Sequence, residues 1–224
     1  MKKTLSIILT SILCLLLLAG CTAQIQEEVT EVNNEITENT VKTVYPLPAT
    51  LDVENLDNCT VAVSLEKGDA YVNDEGKMMM DLTAYTYDLY DMVDIASLSE
   101  NDVIVRLSEE VTVNDIERLE SGLIIINGGE ENGGFSLISS DSTVYYEIGM
   151  SDIKAYYELG KVSLPVSTEF IYTDASDLDA EAIEYYPGDF LLEEEIFDYN
   201  FNPNNTSVVI ENGTLVAMKK VYTP

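Results

Sequence analysis

Tyrosine is the residue type whose number and spacing most clearly favour a chemical role in this chain. The sequence has 14 tyrosines, five phenylalanines and no tryptophan. Three adjacent pairs stand out: Tyr145 with Tyr146, Tyr156 with Tyr157, and Tyr185 with Tyr186. Neighbouring side chains on a β-strand point to opposite faces, so a pair on a strand directs one ring outward. The pairs favour ordinary strand packing, since tyrosine is common in strands, and their outward rings give a second hypothesis, a face that binds a sugar or a peptide.

An acidic segment near the C-terminus carries oxygen donors at alternate positions, namely Asp177, Asp179 and Glu181. Calcium prefers several hard oxygen ligands on a flexible loop. The EF-hand pattern is not met, because counting from Asp177 places Ala182 at the sixth position and Gly188 at the twelfth. Two interpretations follow, a Ca²⁺ site at these three residues and a solvated acidic surface loop.

Missing residue types exclude several reaction classes. The chain contains no histidine, so it cannot form a Ser-His-Asp triad, a Cys-His pair or a histidine-ligated zinc site. Its formal charge of −30, from 41 acidic and 11 basic residues, opposes binding of nucleic acid, which requires clustered Lys and Arg. Hydrolysis by a pair of carboxylates stays open, because acidic side chains are abundant.

The N-terminus has the pattern of a secretory signal, with two lysines before an apolar run over residues 5–18. That run is shorter than the roughly 20 residues of a membrane-spanning helix. It ends in Leu18-Ala19-Gly20-Cys21, which resembles the lipobox of bacterial lipoproteins. The resemblance implies that residues 1–20 are a signal peptide removed before Cys21, whose sulfur receives diacylglycerol. The mature chain is then expected at the extracytoplasmic face of the cell membrane, held there by its lipid.

Two regions follow the signal peptide. Residues 21–48 comprise the lipidated cysteine and a flexible acidic tether, since the segment from Thr22 to Val44 has no aromatic residue and no glycine. Residues 49–224 form a single β-rich domain. Alternating apolar residues and turn signals predict strands at Thr60–Lys67, Met78–Tyr87, Asp102–Leu107, Glu110–Glu117, Gly122–Asn127, Gly134–Ile138, Thr143–Tyr146, Lys161–Tyr172, Thr206–Glu211 and Thr214–Tyr222.

Two short helices are predicted between these strands, one over Asp88–Ala96 and one over Ser151–Gly160. The fold class is therefore mainly β, an antiparallel barrel or sandwich of short strands with two short helices. The segment from Val103 to Ile138, with short strands and tight turns, resembles oligonucleotide/oligosaccharide-binding or SH3-like barrels. That resemblance implies a binding module.

The chain as a whole resembles uncharacterised acidic lipoproteins of Gram-positive anaerobes, a resemblance that implies no activity. We expect a non-catalytic, lipid-anchored domain that binds a peptide, a glycan or a neighbouring envelope protein. A carboxylate-based hydrolase acting on envelope glycans is the alternative, and a cation-binding structural protein is the third hypothesis. The membrane is the expected partner through the N-terminal lipid, and nucleic acid is not.

Overall fold

A computed structural model of the chain describes residues 40–139, 141–149, 153–192, 194–197 and 200–223. The expected signal peptide, Cys21 and the first part of the expected tether lie outside these residues. The described part forms one compact unit that begins at Thr40. It is mainly β, as the sequence predicts. Within the described ranges, no helix combines the length and the apolar character that a membrane span requires.

The strands are listed here in chain order: β1 (Thr43–Val44), β2 (Cys59–Ser64), β3 (Ala70–Val72), β4 (Met78–Thr86), β5 (Leu89–Asp91), β6 (Val103–Arg106), β7 (Glu109–Thr112), β8 (Ile116–Arg118), β9 (Ile124–Ile126), β10 (Phe135–Ile138), β11 (Val144–Ile148), β12 (Tyr157–Ala175), β13 (Ile183–Tyr185), β14 (Thr206–Glu211) and β15 (Thr214–Val221). The α-helices are α1 (Met92–Ala96) and α2 (Pro187–Leu192), and short 3₁₀ turns cover Val53–Asn55, Glu130–Asn132 and Glu194–Phe197.

Five strands close into a barrel in the order β2, β4, β12, β15, β14 and back to β2. Strands β12 and β15 run parallel, and every other pair in this ring is antiparallel. The short strands β3 and β13 extend the sheet beside β4 and β12. The structure is thus a barrel rather than a sandwich, and one parallel pair corrects the expectation of a wholly antiparallel one.

Successive side chains along each barrel strand point alternately into the core and toward the solvent. Val61 and Val63 of β2 and Val208 and Ile210 of β14 are each at most 1% exposed. Cys59 shares their inward face and packs against the same core while remaining half-buried. Helix α2 lies in the connection from β13 to β14, and it places Phe190 in this core.

An insertion between β4 and β12 carries a second core. Strands β5, β11, β10, β9 and β8 form an antiparallel sheet, and β1, β6 and β7 form a smaller one. Tyr90, Ile104, Ile126 and Leu137 are fully buried between these elements. The expectation that Val103–Ile138 forms a small barrel is therefore wrong, because its strands belong to two open sheets. The closed barrel consists of β2, β4, β12, β14 and β15, which precede and follow this segment.

Other expectations about local structure are wrong in specific ways. Helix α1 begins at Met92 rather than Asp88, because Leu89–Asp91 pairs with β11 and Asp91 is the N-cap. The helix expected at Ser151–Gly160 is absent from residues 153–160, where the chain enters β12 at Tyr157. Residues 40–48 are not tether, since Val44 is 1% exposed and β1 pairs with β6.

Candidate ligand site at the junction of barrel and insertion

Two tyrosine rings contact one ammonium group where the insertion joins the barrel, and a third tyrosine ring packs against one of them. The Nζ atom of Lys154 lies 4.2 Å from the ring centroid of Tyr87 and 4.9 Å from that of Tyr146. The Tyr87 ring meets Tyr146 and Tyr156 edge-on, with centroid separations of 5.8 and 5.3 Å. We call these four residues the tyrosine–lysine cluster. Cation–π attraction and edge-to-face contact both stabilise such an arrangement.

Chain connectivity places the four residues together. Tyr87 directly follows β4, where the chain leaves the barrel, and Tyr156 directly precedes β12, where it returns. Tyr146 lies on β11 of the insertion. Lys154 is fixed by a β-bridge between its residue and Ile148, and by the neighbouring Ala155 N–H, which donates to the Glu147 carbonyl at 3.1 Å. The cluster thus joins the two ends of the insertion to its sheet.

The charge of Lys154 is held without a carboxylate partner. Its ammonium donates to the Tyr87 hydroxyl at 2.9 Å, and no described acidic side chain lies within ion-pair distance. Burial is the largest single influence and by itself would lower the pKa of Lys154. The hydrogen bond to Tyr87 and the electrostatic interactions with Tyr87, Tyr156 and Tyr146 together outweigh it, so the pKa lies above its ordinary value. Burial raises the pKa of Tyr156. At neutral pH Lys154 therefore keeps its positive charge, and Tyr156 keeps its phenol proton.

A concavity of about 320 Å³ adjoins the cluster on the outer face of the barrel. We call it the outer-face concavity. Ser207, Ala62 and Tyr85 lie in one row across β14, β2 and β4 and form part of its wall. The Tyr85 hydroxyl is within 3.1 Å of the Ser64 hydroxyl, which orients the ring. Hydroxyl-bearing side chains and an aromatic ring therefore face the solvent together.

A second concavity, of about 400 Å³, lies on the insertion side and shares Lys154, Tyr156 and Asn204 with the first. Its wall includes Arg106, whose guanidinium binds both carboxylate oxygens of Glu147. That bidentate pair is largely buried at Glu147, and the hydrogen bond to Glu147 raises the pKa of Arg106. Arg106 is therefore paired with a carboxylate, whereas Lys154 has no such pair among the described residues.

Two of the six paired tyrosines meet in the cluster, and four lie elsewhere. Tyr145 is half-buried and packs against the core of the insertion. Tyr157 is the first residue of β12, and burial followed by the charge of Asp88 raises its pKa. Tyr185 stacks on Tyr172 with a centroid separation of 5.5 Å, and Tyr186 is 55% exposed. The six paired tyrosines therefore lie in different environments, and only Tyr146 and Tyr156 belong to the same cluster.

Sequence reasoning missed Tyr87 as a member and missed Lys154 altogether. A signal for Lys154 was present, because it is the only basic residue between Arg118 and Lys161 and lies between two of the tyrosine pairs. A single basic residue between two tyrosine pairs, in so acidic a chain, indicates that its side chain contacts the aromatic rings. Tyr87 and Tyr85 are two residues apart at the end of the predicted strand Met78–Tyr87. This spacing places both rings on one face of the strand, but it does not indicate which residues Tyr87 contacts.

The acidic loop expected to bind calcium lies at the surface, with Asp177, Asp179 and Glu181 all exposed. It borders a concavity of about 900 Å³, and the Asp177 carboxylate accepts from the backbone N–H of Asp179 at 2.9 Å. In the part of the chain that the structure describes, no three or more acidic or cysteine side chains are grouped to hold a metal ion. A Ca²⁺ site here stays a prediction.

The chain was compared with protein-family models, with curated proteins and with solved structures, and none of them matches.

Proposed function

We propose that this protein is a lipid-anchored binding domain of the extracytoplasmic cell surface that holds an envelope ligand at the tyrosine–lysine cluster. The observation that carries the proposal is the convergence of Tyr87, Tyr146 and Tyr156 on Lys154 beside two concavities. Small-molecule and saccharide sites combine aromatic surface with a few placed polar groups. The cluster provides both within one junction.

The architecture adds support of a general kind. A small barrel of five strands is the layout of oligonucleotide/oligosaccharide-binding domains, which use an outer strand face and the adjoining loops for their ligands. The outer-face concavity occupies a comparable place, on strands β2, β4 and β14. Since a fold alone does not determine function, and the formal charge of −30 opposes nucleic acid, we favour a glycan or a peptide.

The alternative, a carboxylate-based hydrolase, finds less support in the buried acids. Asp88 accepts from the backbone N–H of Leu107 at 2.8 Å, Asp102 accepts from Ser99, and Glu147 binds Arg106. Each of these carboxylates satisfies a structural hydrogen bond or ion pair. The third hypothesis, a cation-binding structural protein, depends on the exposed acidic loop and on no other described feature.

The proposal is tested by titrating the full-length chain, in detergent micelles, with fractionated glycan and peptide fragments of a bacterial envelope. Calorimetry should detect saturable binding that Tyr156→Ser weakens at least tenfold, since interface energy concentrates in a few aromatic side chains. Tyr186→Ser is the matched control, because Tyr186 is exposed and lies outside the cluster. Melting curves of all three proteins verify that the substitutions leave the fold intact. Equal affinities for the two variants would contradict the proposed site.

A further inference from the structure

The lining of the outer-face concavity differs from the rest of the molecule in charge. The chain has 41 acidic residues against 11 basic ones, yet none of the residues that line this concavity is Asp or Glu. Lys154 is the one charged side chain among them. A ligand here meets a single positive charge, and the nearest wall contributes no carboxylate to repel a negative group.

The cation is also presented in a way that leaves it able to bind an anion. Among the described residues, its partners are the Tyr87 hydroxyl and the faces of the Tyr87 and Tyr146 rings, and none of these contacts is with a carboxylate. Lys154 is half-buried rather than fully enclosed, so part of the side chain faces the concavities. Partial removal from water strengthens its attraction for an opposite charge.

Around this cation the wall offers mainly groups that exchange hydrogen bonds with hydroxyls. Thr60, Ser207 and Asn204 line the concavity together with the rings of Tyr85 and Tyr156. Hydroxyl and amide side chains donate and accept, and an aromatic ring provides an apolar face for the C–H side of a sugar. The combination matches a ring bearing several hydroxyls and one acidic group.

We infer that the ligand of this site is an acidic saccharide, whose carboxylate binds Lys154 while a neighbouring sugar ring packs against Tyr85 or Tyr156. The inference rests on the proposed function, since it names the ligand class of the same site. At physiological salt the Debye length is about 8 Å, so exposed acidic side chains farther than this from the concavity are largely screened from the bound carboxylate. The local charge then determines selectivity.

The test uses the full-length chain in micelles at physiological salt and two forms of one probe, an oligogalacturonate and its methyl ester. Esterification removes the charge and retains the sugar. The acid should bind at least tenfold more tightly than the ester, because a charge-assisted hydrogen bond is lost. Lys154→Met should abolish this preference, and Lys154→Arg should retain most of it. Lys77→Met is the control, since it changes the net charge equally and Lys77 pairs with Glu75 away from the site.

The outcomes separate this inference from the proposed function. If acid and ester bind alike and Tyr156→Ser weakens both, the site binds saccharide, and the anionic class is wrong. If neither form binds while envelope peptides do, the saccharide class is wrong, and the proposed site stands. If no glycan or peptide binds in a manner that depends on Tyr156, the proposed function fails as well.

Discussion

Replacing Phe190 by alanine should be among the most destabilising single changes in the barrel. The ring is 1% exposed and lies within 6.2 Å, between centroids, of Phe170, Tyr172, Phe197 and Phe201. Truncating a buried phenylalanine leaves a cavity and costs about 3–5 kcal/mol. For a unit of this size that corresponds to a fall of about 10 °C in melting temperature.

The assay is urea unfolding of the full-length chain, followed by far-ultraviolet circular dichroism because the protein lacks tryptophan. Leu192→Ala is the matched control, since Leu192 lies in the same helix and is 81% exposed. Surface substitutions of this kind change the free energy of unfolding by about 0.5 kcal/mol or less. If both variants lose the same stability, α2 does not fill the barrel core, and the account of that core is wrong.

Three further predictions concern the lipid anchor, the thiol of Cys59 and the acidic loop. Cys21→Ser should leave an unlipidated precursor, seen as a larger species that no longer partitions into detergent; unchanged size and partitioning would contradict the lipoprotein hypothesis. Burial raises the pKa of Cys59, so less thiolate is present at neutral pH. Maleimide should therefore label Cys59 more slowly than a free cysteine until urea is added. Equally rapid labelling before and after urea would show that the thiol is exposed to solvent. Calcium and magnesium should raise the melting temperature alike, and the effect should fade in high monovalent salt; a calcium-specific shift that Asp177→Asn and Asp179→Asn abolish would establish a site.

Local signals in the sequence were sufficient for the C-terminal hairpin. Strand β14 has the bounds that the alternation predicts. Asn212 and Gly213, which join it to β15, both adopt positive φ values, 52° and 67°, as expected for a tight hairpin turn. Fold class was predictable for the same reason, because many short apolar runs separated by turn residues rarely form any other architecture.

Elements that depend on long-range pairing were not predictable in this way. Strand β12 runs from Tyr157 to Ala175, whereas the sequence predicted a strand from Lys161 to Tyr172 only, because Gly160 was interpreted as the end of a helix. The register of β12 against β4 shifts between Glu158 and Gly160, and the strand continues because partners on β4 and β15 hold it. Closure of the barrel rests on the parallel pairing of β12 with β15, which no local pattern encodes.

Helix α2 was not predicted from the sequence, although one signal for it was present. Pro187-Gly188 has the composition of a turn, but proline is also favoured at the first position of a helix. Phe190 is the one residue that the helix buries, so the spacing of apolar residues gave little evidence for a helix here. The structure uses the short helix to close the core, a role that only tertiary packing reveals.

The candidate site was half predictable for a related reason. Tyr146 and Tyr156 were indicated by their excess and adjacency, because aromatic pairs on strands are visible in the sequence. Their meeting with Tyr87 and Lys154 depends on how the insertion leaves and re-enters the barrel. No local pattern of residue types indicates where the insertion leaves the barrel and where it returns.

The central claim, that the tyrosine–lysine cluster binds an envelope ligand, is tested most directly by nuclear magnetic resonance of the full-length chain with ring-labelled tyrosine. Envelope glycan and peptide fragments are titrated into the sample, and single Tyr→Phe variants assign the signals. Our account predicts that the signals of Tyr87, Tyr146 and Tyr156 shift together, while those of the exposed Tyr186 and Tyr222 stay in place. Shifts confined to Tyr186 and Tyr222, with the cluster unchanged at saturation, would contradict it.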